Sequence, residues 1–222
     1  MKRQTLFITG TDTGVGKTVL ACLLARHWRA QGVSVAAFKP VCSGGRDDAE
    51  ALHAALGGAL EMDEINPWHF RAPLAPLLAA RAEKKKVTLS QVVAHAKKLQ
   101  RRFPLLIVEG AGGLLSPLGE NFDSRDLIQA LRAMPVVVAP NRLGAINQVL
   151  LTLAALPPTA SRQAQVVIVT PPSPDAADAG NLKYLREQLG PRRIHELPQV
   201  NLSQPGRHTA KSVTVLAGML AV

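Results

Sequence analysis

The stretch that decides the fold is Gly-Thr-Asp-Thr-Gly-Val-Gly-Lys-Thr at positions 10–18, directly after an apolar run at 6–8. A loop of this composition lets backbone N–H groups surround an anion, while Lys17 meets the β- and γ-phosphates and the Thr18 hydroxyl ligates Mg²⁺. The usual P-loop pattern has glycine at position 11, whereas this chain has Thr11 there and a glycine one place earlier. The sequence therefore predicts a phosphate loop, the alternative being a glycine-rich turn that binds nothing.

Composition limits the classes of protein to which the chain can belong. At 222 residues and 47% hydrophobic, the chain is long enough for one substantial core, and we expect a single domain over 1–222. No apolar run resembles a signal peptide or approaches a membrane span, which predicts a soluble, cytoplasmic protein without a membrane partner. Cys22 and Cys42 lie outside any paired metal-ligand spacing, so we expect reduced thiols.

The net charge of +10 raises nucleic acid as a partner. The clustered basic residues lie on or beside one predicted helix, at 84–86 and 97–102, while Arg192 and Arg193 lie far away in the sequence. Aromatic residues make up only 4% of the chain, too few for interleaved stacking platforms. A solvated basic face is therefore the favoured interpretation, and nucleic acid is an unlikely partner. The same charge would attract an anionic nucleotide or carboxylate substrate.

Strand-like apolar runs alternate with helical patterns along the chain. The predicted strands are Thr5–Thr9, Val33–Phe38, Leu105–Val108, Val136–Ala139 and Val166–Val169. The predicted helices are Lys17–Ala30, Asp47–Leu56, Leu89–Arg102, Ser124–Arg132, Ile146–Leu156, Ala177–Leu189 and Ala210–Leu220. Continuous β-branched runs are typical of strands buried on both faces. The order predicts an α/β fold with a mainly parallel sheet and helices on both faces, whose ligands gather at the carboxyl ends of the strands.

A lysine, Lys39, ends the second predicted strand. Burying an ammonium is costly unless it faces an anion, and this strand end shares a sheet edge with the phosphate loop. Lys39 is therefore a candidate clamp for a phosphate or oxyanion, the alternative being a side chain that extends to solvent. Asp47 and Asp48 follow at a predicted helix start, where one of them either caps the helix or faces Mg²⁺.

Two further strand ends carry polar or glycine-rich segments. Glu109 closes the third predicted strand, where a carboxylate beside a phosphate loop suits Mg²⁺, and the glycines that follow permit close backbone approach. The fourth strand leads to Asn-Arg-Leu-Gly-Ala-Ile-Asn at 141–147, where a helix N-terminus suits a substrate carboxylate. The alternative is plain capping by Asn141 or Asn147.

Four motifs in one order together resemble the dethiobiotin synthetase family. They are the loop at 10–18, Phe-Lys-Pro-Val-Cys-Ser-Gly at 38–44, Val-Glu-Gly-Ala-Gly-Gly at 108–113 and Leu-Gly-Ala-Ile-Asn at 143–147. The segment from Asn66 to Pro76 also resembles the family's Asn-Pro-aromatic segment, and the displaced Gly10 matches the family's phosphate loop. The resemblance implies ATP-dependent closure of a ureido ring on 7,8-diaminononanoate with CO2, in the presence of Mg²⁺, by a homodimer.

The same resemblance implies roles for individual residues. Lys17 would hold the β- and γ-phosphates, Lys39 would hold the carbamate and the γ-phosphate, and Thr13 and Ser43 would contact the diamine or its carbamate. The Mg²⁺ ligands would be Thr18, Asp48 and Glu109. The nucleotide would be lined by Gly14, Val15, Gly16, Lys17, Thr18, Asp48, Glu109, Gly110, Ala111, Gly112, Thr170, Pro171, Pro198, Gln199 and Val200. The substrate carboxylate would be received across the dimer interface by Gly144, Ala145, Ile146 and Asn147.

Thr170 departs from the pattern, because members of the family often place there an asparagine that reads the adenine. The base preference is therefore open. A ParA-like DNA-partitioning ATPase is an alternative supported by the loop and the positive charge, although Asp12 and Thr13 stand in the region where that group has a signature lysine. A cobyrinate-type ligase is a further alternative, for which the chain lacks a glutaminase-like cysteine segment.

Overall fold

The computed structural model describes residues 3–174, 176–202 and 206–220. The first half of the chain contains β1 (Gln4–Gly10), α1 (Lys17–Ala30), β2 (Val35–Phe38), β3 (Val41–Ser43), α2 (Asp47–Ala55), α3 (Met62–Ile65), β4 (Trp68–Phe70), α4 (Pro76–Ala82), α5 (Leu89–Arg102) and β5 (Leu105–Glu109). The second half contains α6 (Ser124–Leu131), β6 (Met134–Pro140), α7 (Ala145–Ala155), α8 (Pro158–Gln163), β7 (Gln165–Thr170), α9 (Ala176–Leu189), a 3-10 turn (Pro191–Arg193), β8 (Ile194–Pro198) and α10 (Arg207–Leu220).

Six parallel strands form the main sheet in the order β2-β5-β1-β6-β7-β8. The central strand β1 pairs with β5 through Leu6 and Ile107, and with β6 through Leu6 and Met134. α1 packs against β1, β2 and β5, whereas α5 and α6 pack together against β5 and β1. Since these strands are buried on both sides, helices cover both faces. The predicted α/β fold is confirmed.

Local sequence explains where the helices begin. Thr88 and Gln91 form a capping box at the start of α5, in which the Thr88 N–H donates to Gln91 Oε1 at 2.9 Å. Asp123 and Asp126 form the same arrangement at the start of α6. After α6 the chain turns at Arg132, whose φ of 48° is left-handed. Among the described residues, no helix combines the length and apolarity that crossing a membrane requires.

The five predicted strands are all present, each within two residues of its predicted ends. Three strands went unpredicted. β8 lies at the sheet edge and carries the polar residues His195 and Glu196, so its sequence lacks a continuous apolar run. β3 and β4 are three residues each and form a separate parallel pair, too short to give a periodic signal.

Candidate active site

The phosphate loop joins β1 to α1, and its glycines are required by geometry. Gly16 caps α1 with φ 101°, a left-handed conformation that other residues rarely adopt. A Cβ on Gly10 would lie 2.6 Å from Val15 Cγ2, so the loop needs glycine at position 10 even though Thr11 replaces the usual glycine. Gly16 has no side chain that could cap the first N–H groups of α1, which leaves them available to an anion.

Lys17, in the first turn of α1, is held beneath this loop. Its side chain is buried, and Nζ donates to the Asp12 carbonyl oxygen at 2.8 Å. Burial lowers the pKa of Lys17 from its ordinary value, against the opposing influence of Glu109. Because no carboxylate bonds this ammonium directly among the described residues, its charge is available to an anion in the loop.

Lys39 projects from the end of β2 into the same region. The residue is only 4% exposed, so the interpretation of a lysine that extends to solvent is wrong. Its Nζ donates to Glu109 Oε1 at 2.7 Å and also pairs with Asp48. Burial by itself lowers the pKa of Lys39, but Glu109 and Asp48 outweigh burial and hold this pKa above its ordinary value. Lys39 is therefore a fixed positive charge at the site.

Three side chains that can ligate a metal ion through oxygen lie together in the site: Thr18, Asp48 and Glu109. Thr18 Oγ1 lies 2.9 Å from Asp48 Oδ1 and 2.7 Å from Glu109 Oε1. A hydroxyl has one proton, so it can donate to only one of these carboxylates at a time. In addition, Glu109 Oε2 is buried without a hydrogen-bond partner among the described residues. This surplus of acceptor oxygens fits a hard divalent cation.

Neither of the two aspartates that follow β3 is the capping residue of α2. Arg46 precedes α2 at the cap position, and no side chain bonds the first N–H groups there, so capping by Asp47 or Asp48 is wrong. Burial by itself raises the pKa of Asp48, but the Lys39 charge and the bonds from Lys39 and Thr18 lower it below its ordinary value. Asp48 is thus held ionised within the site.

A cavity of about 690 Å³ lies over these groups. The predicted site residues that line it are Thr13, Gly14, Gly16, Lys17, Thr18, Lys39, Ser43, Asp48, Glu109, Ala111 and Gly112. Sequence reasoning missed Ser116 and the proline-rich segment 73–76, which line the same cavity. Ser116 Oγ accepts from the Gly113 N–H at 3.0 Å and would lie 2.3 Å from a Cβ on Gly112, which explains that glycine.

Three of the residues predicted around the nucleotide base, Thr170, Gln199 and Val200, border two other cavities. Gln199 and Val200 line a cavity of about 570 Å³ together with Val19, which also borders the main cavity. Thr170 lies elsewhere: its hydroxyl donates to Glu196 Oε1 at 2.8 Å, and it borders a cavity beside α9. Val15, Gly110, Pro171 and Pro198 border none of these three cavities.

The segment 141–147 lies outside the main cavity. Gly144 caps α7 with φ 90° and no side-chain cap bond, so capping by Asn141 or Asn147 is wrong. Asn141 instead donates to the Asp178 carbonyl oxygen at 3.1 Å. The neighbouring Leu143 is 89% exposed, so this helix start faces outward.

The two cysteines are free and buried, as predicted for reduced thiols. Cys42 borders the main cavity, but burial raises its pKa to about 12. Burial likewise raises the pKa of Cys22 to about 12. Both thiols are therefore protonated near neutral pH and supply no nucleophile.

Comparison with known proteins gives relatives over most of the chain. A family model described as an AAA domain matches residues 4–207. The ATP-dependent dethiobiotin synthetase BioD of Anaeromyxobacter dehalogenans (strain 2CP-C) is 48% identical over 155 residues, covering 68% of this chain and 70% of that protein. The protein of the same name from Methanocaldococcus jannaschii is 40% identical over 155 residues, covering 68% and 72%.

Solved structures extend the likeness at the level of the fold. A ParA family ATPase from Chlorobium tepidum TLS superposes with a TM-score of 0.63 at 10% identity, covering 97% of this chain and 98% of that one. The MinC:MinD cell division complex of Aquifex aeolicus gives a TM-score of 0.63 at 13% identity, covering 98% and 95%. At these identities the likeness shows a shared fold alone.

Proposed function

The chain belongs to the dethiobiotin synthetase family, and on this premise we propose that it is the ATP-dependent ligase that closes a ureido ring in biotin biosynthesis. Its reaction converts 7,8-diaminononanoate, CO2 and ATP into dethiobiotin, ADP and phosphate. The observation that carries this proposal is the convergence of Lys17, Lys39 and Glu109 on one cavity beside the phosphate loop.

The reaction has two steps that place different demands on the site. Once one amine of the substrate has added to CO2 and lost a proton to give a carbamate, a carbamate oxygen attacks the γ-phosphorus of ATP, and ADP leaves. The second amine then attacks the carbonyl carbon of the mixed anhydride, and phosphate leaves. Catalysis of phosphoryl transfer of this kind is mostly positioning and charge neutralisation. The side chains of this site are suited to both tasks, and none is required as a covalent nucleophile.

Lys17 and the open N-terminus of α1 would hold the β- and γ-phosphates. Two features support this role. The Lys17 ammonium is buried and bonded only to a carbonyl oxygen among the described residues, and the first N–H groups of α1 have no side-chain cap. An anion in the loop would gain both a full charge and the partial charge of the helix end.

Lys39 would neutralise the charge that grows between the carbamate and the γ-phosphate. Its ammonium is fixed by Glu109 and Asp48, so little reorganisation is needed as charge develops. The hydroxyl residues Thr13 and Ser43 border the same cavity and are suited to hold the diamine or its carbamate. The two cations beside the transferring group would therefore follow two different strands, β1 and β2.

Thr18, Asp48 and Glu109 would hold Mg²⁺, which supplies charge neutralisation on the phosphates when it is bound. The described residues contain no cluster of three or more acidic, histidine or cysteine side chains suited to a metal. A hydroxyl and two carboxylates nevertheless suit Mg²⁺, because this ion keeps several water or phosphate ligands. The partnerless Glu109 Oε2 supports the fit.

The start of α7 would receive the substrate carboxylate from a second copy of the chain, so the working form would be a homodimer. The proposal is supported by the outward-facing N-terminus of α7, which has no side-chain cap, and by Leu143, which is 89% exposed. Gly144, Ala145, Ile146 and Asn147 form this helix start. A dimer mass in solution for the wild type and a monomer for Leu143→Asp would support the assembly; a wild-type monomer would contradict it.

The base would lie along Val19, Gln199 and Val200, where the two cavities meet. Thr170 is engaged with Glu196, so its side chain does not serve as an adenine reader in this arrangement. Pro171 and Pro198 would contribute backbone only.

The decisive experiment measures phosphate release with diamine, bicarbonate, Mg²⁺ and ATP. We expect release only when diamine is present, with dethiobiotin formed in equal amount. Parallel reactions with other nucleoside triphosphates measure the base preference. Phosphate release independent of diamine, together with salt-sensitive binding to DNA and nucleotide-driven dimerisation, would instead favour a partitioning ATPase.

A further inference from the structure

A second basic cavity lies at the opposite end of the sheet from the active site. It has a volume of about 500 Å³ and is bordered by four cationic side chains, Arg3, Lys97, Arg101 and Arg132. Of the residues that the structure describes, no acidic one borders it. Along β1, which rises about 3.3 Å per residue, this cavity lies roughly 20 Å from the phosphate loop.

The cations come from three separate parts of the chain that the fold brings together. Arg3 directly precedes β1, Lys97 and Arg101 lie in the last two turns of α5, and Arg132 follows the end of α6. Lys97 and Arg101 are four residues apart and therefore share a helix face. The cluster is thus a product of tertiary structure and not a charged stripe on one exposed helix.

Within the described part of the chain, these cations have no partners of opposite charge. Among the described residues, none of the four takes part in a salt bridge, whereas Arg102, one residue further along α5, pairs with Glu64. The C-terminal ends of α5 and α6 lie nearby and contribute a partial charge of roughly −0.5 each. Four full positive charges exceed that sum by about three, so neutralising the helix ends does not account for the cluster.

The floor of the cavity adds hydrogen-bonding groups. Gln100 Nε2 donates to Thr5 Oγ1 at 2.6 Å. Thr5 is only 6% exposed, and its hydroxyl keeps its own proton for donation. A buried hydroxyl beneath four cations is suited to an oxyanion, and three of those cations are guanidinium groups, whose planar forks match phosphate oxygens.

We propose that this cavity binds a small polyanion made of phosphate groups, the simplest of which is inorganic pyrophosphate. The excess of about three charges matches a diphosphate or triphosphate better than a single carboxylate. No aromatic side chain borders the cavity in the described ranges, so these residues offer no platform on which nucleic-acid bases would stack. The inference is independent of the proposed reaction, because it concerns residues at the other end of β1.

The experiment titrates pyrophosphate by calorimetry into a Lys17→Ala variant, in which the phosphate loop is disabled. We expect one equivalent of pyrophosphate to bind, with an affinity that weakens as salt rises. In this background, Lys97→Glu should weaken binding at least about tenfold, the effect of losing one strong charged contact. Lys98→Glu is the matched control, because it makes the same charge change on the same helix but does not border the cavity. We expect it to change affinity by less than about threefold.

Three results would overturn the proposal. Absence of pyrophosphate binding in the Lys17→Ala background would mean that the phosphate loop is the binding site. Equal losses from Lys97→Glu and Lys98→Glu would mean that net charge, and not this cavity, attracts the anion. Tighter binding of a 20-nucleotide single strand, lost in Lys97→Glu, would assign the face to nucleic acid. Arg101→Glu provides a second test if circular dichroism shows that Lys97→Glu does not fold.

Discussion

The two ends of β1 both gather positive charge, but they do so in opposite ways. At the carboxyl end, Lys39 is buried and bonded to Glu109 and Asp48. At the amino end, Arg3 and Lys97 are exposed, and no acid borders their cavity in the part of the chain that the structure describes. A buried, paired cation is fixed and strongly coupled to its neighbours, whereas exposed cations are screened by water and salt. Substitutions at the two ends should therefore differ in size and in salt dependence.

The largest expected effect is the loss of turnover in Lys39→Ala. We expect kcat to fall about a thousandfold, the upper end of the effect of losing one preorganised donor to the charge of a transition state, while nucleotide affinity changes less than about threefold. Steady-state kinetics and calorimetry with a non-hydrolysable nucleotide measure the two quantities. Lys98→Ala, an exposed lysine on α5, is the control. Equal losses in turnover and nucleotide affinity would contradict the assigned role.

The next effect concerns stability and compares the two ends directly. Lys39→Ala leaves Glu109, 1% exposed, without its cationic partner, and should lower the free energy of unfolding by about 3–5 kcal/mol. Lys39→Ala combined with Glu109→Gln should recover much of that loss, because the unpaired buried charge is then gone. Lys97→Ala at the amino end should change stability by less than about 0.5 kcal/mol.

Urea unfolding of the four variants in the double-mutant cycle provides the measurement. An additive cycle, in which Glu109→Gln does not moderate the effect of Lys39→Ala, would mean that the two side chains are not coupled. The buried lysine at the carboxyl end of β1 would then be no more strongly coupled to its neighbours than the exposed cations at the amino end.

A smaller effect is expected from acid, since the pKa of Asp48 lies below its ordinary value of 3.8. The stability that this carboxylate contributes is present above its unfolded pKa and is lost as pH falls through the lower folded pKa. Wild-type stability should therefore fall more steeply than that of Asp48→Asn between about pH 5 and pH 2. Urea midpoints across this range measure the difference. Parallel curves would show that Lys39 does not stabilise the ionised form of Asp48.

Much of this architecture could be predicted from sequence, because strand ends in a parallel sheet share one edge. That rule gathers the phosphate loop with Lys17, Lys39 and Glu109 at one place, whereas Asp48 lies further along the chain, in α2. What the rule cannot give is the pairing among them. Local pattern left helix capping and cation binding as equal choices for Asp48, and only the three-dimensional arrangement shows that its partners are Lys39 and Thr18.

The base region was harder to predict because its contacts span distant segments. Thr170 bonds Glu196, which lies 26 residues along the chain on an edge strand without an apolar pattern. Nothing in the neighbourhood of either residue indicates the other. The basic cavity at the amino end of β1 is hard to predict for the same reason, since its cations are separated in sequence and meet only where β1, α5 and α6 come together.

The smallest effect tests whether the amino-end cations are truly without favourable contacts. Arg132 adopts φ 48° at the end of α6, a left-handed conformation that is strained for an arginine but not for a glycine. Arg132→Gly should therefore raise the free energy of unfolding by about 0.5–1 kcal/mol, whereas the control Arg162→Gly, inside α8, should lower it by about 1 kcal/mol. Arg132→Gln separates the causes: it keeps the strained backbone but removes the charge, so any gain it shows reflects relieved repulsion and should shrink in high salt. If Arg132→Gly instead destabilises the protein, the guanidinium makes a contact whose stabilisation exceeds the cost of the strained backbone. The cations at the amino end of β1 would then not be unpaired, and the contrast with the paired lysine of the active site would not hold.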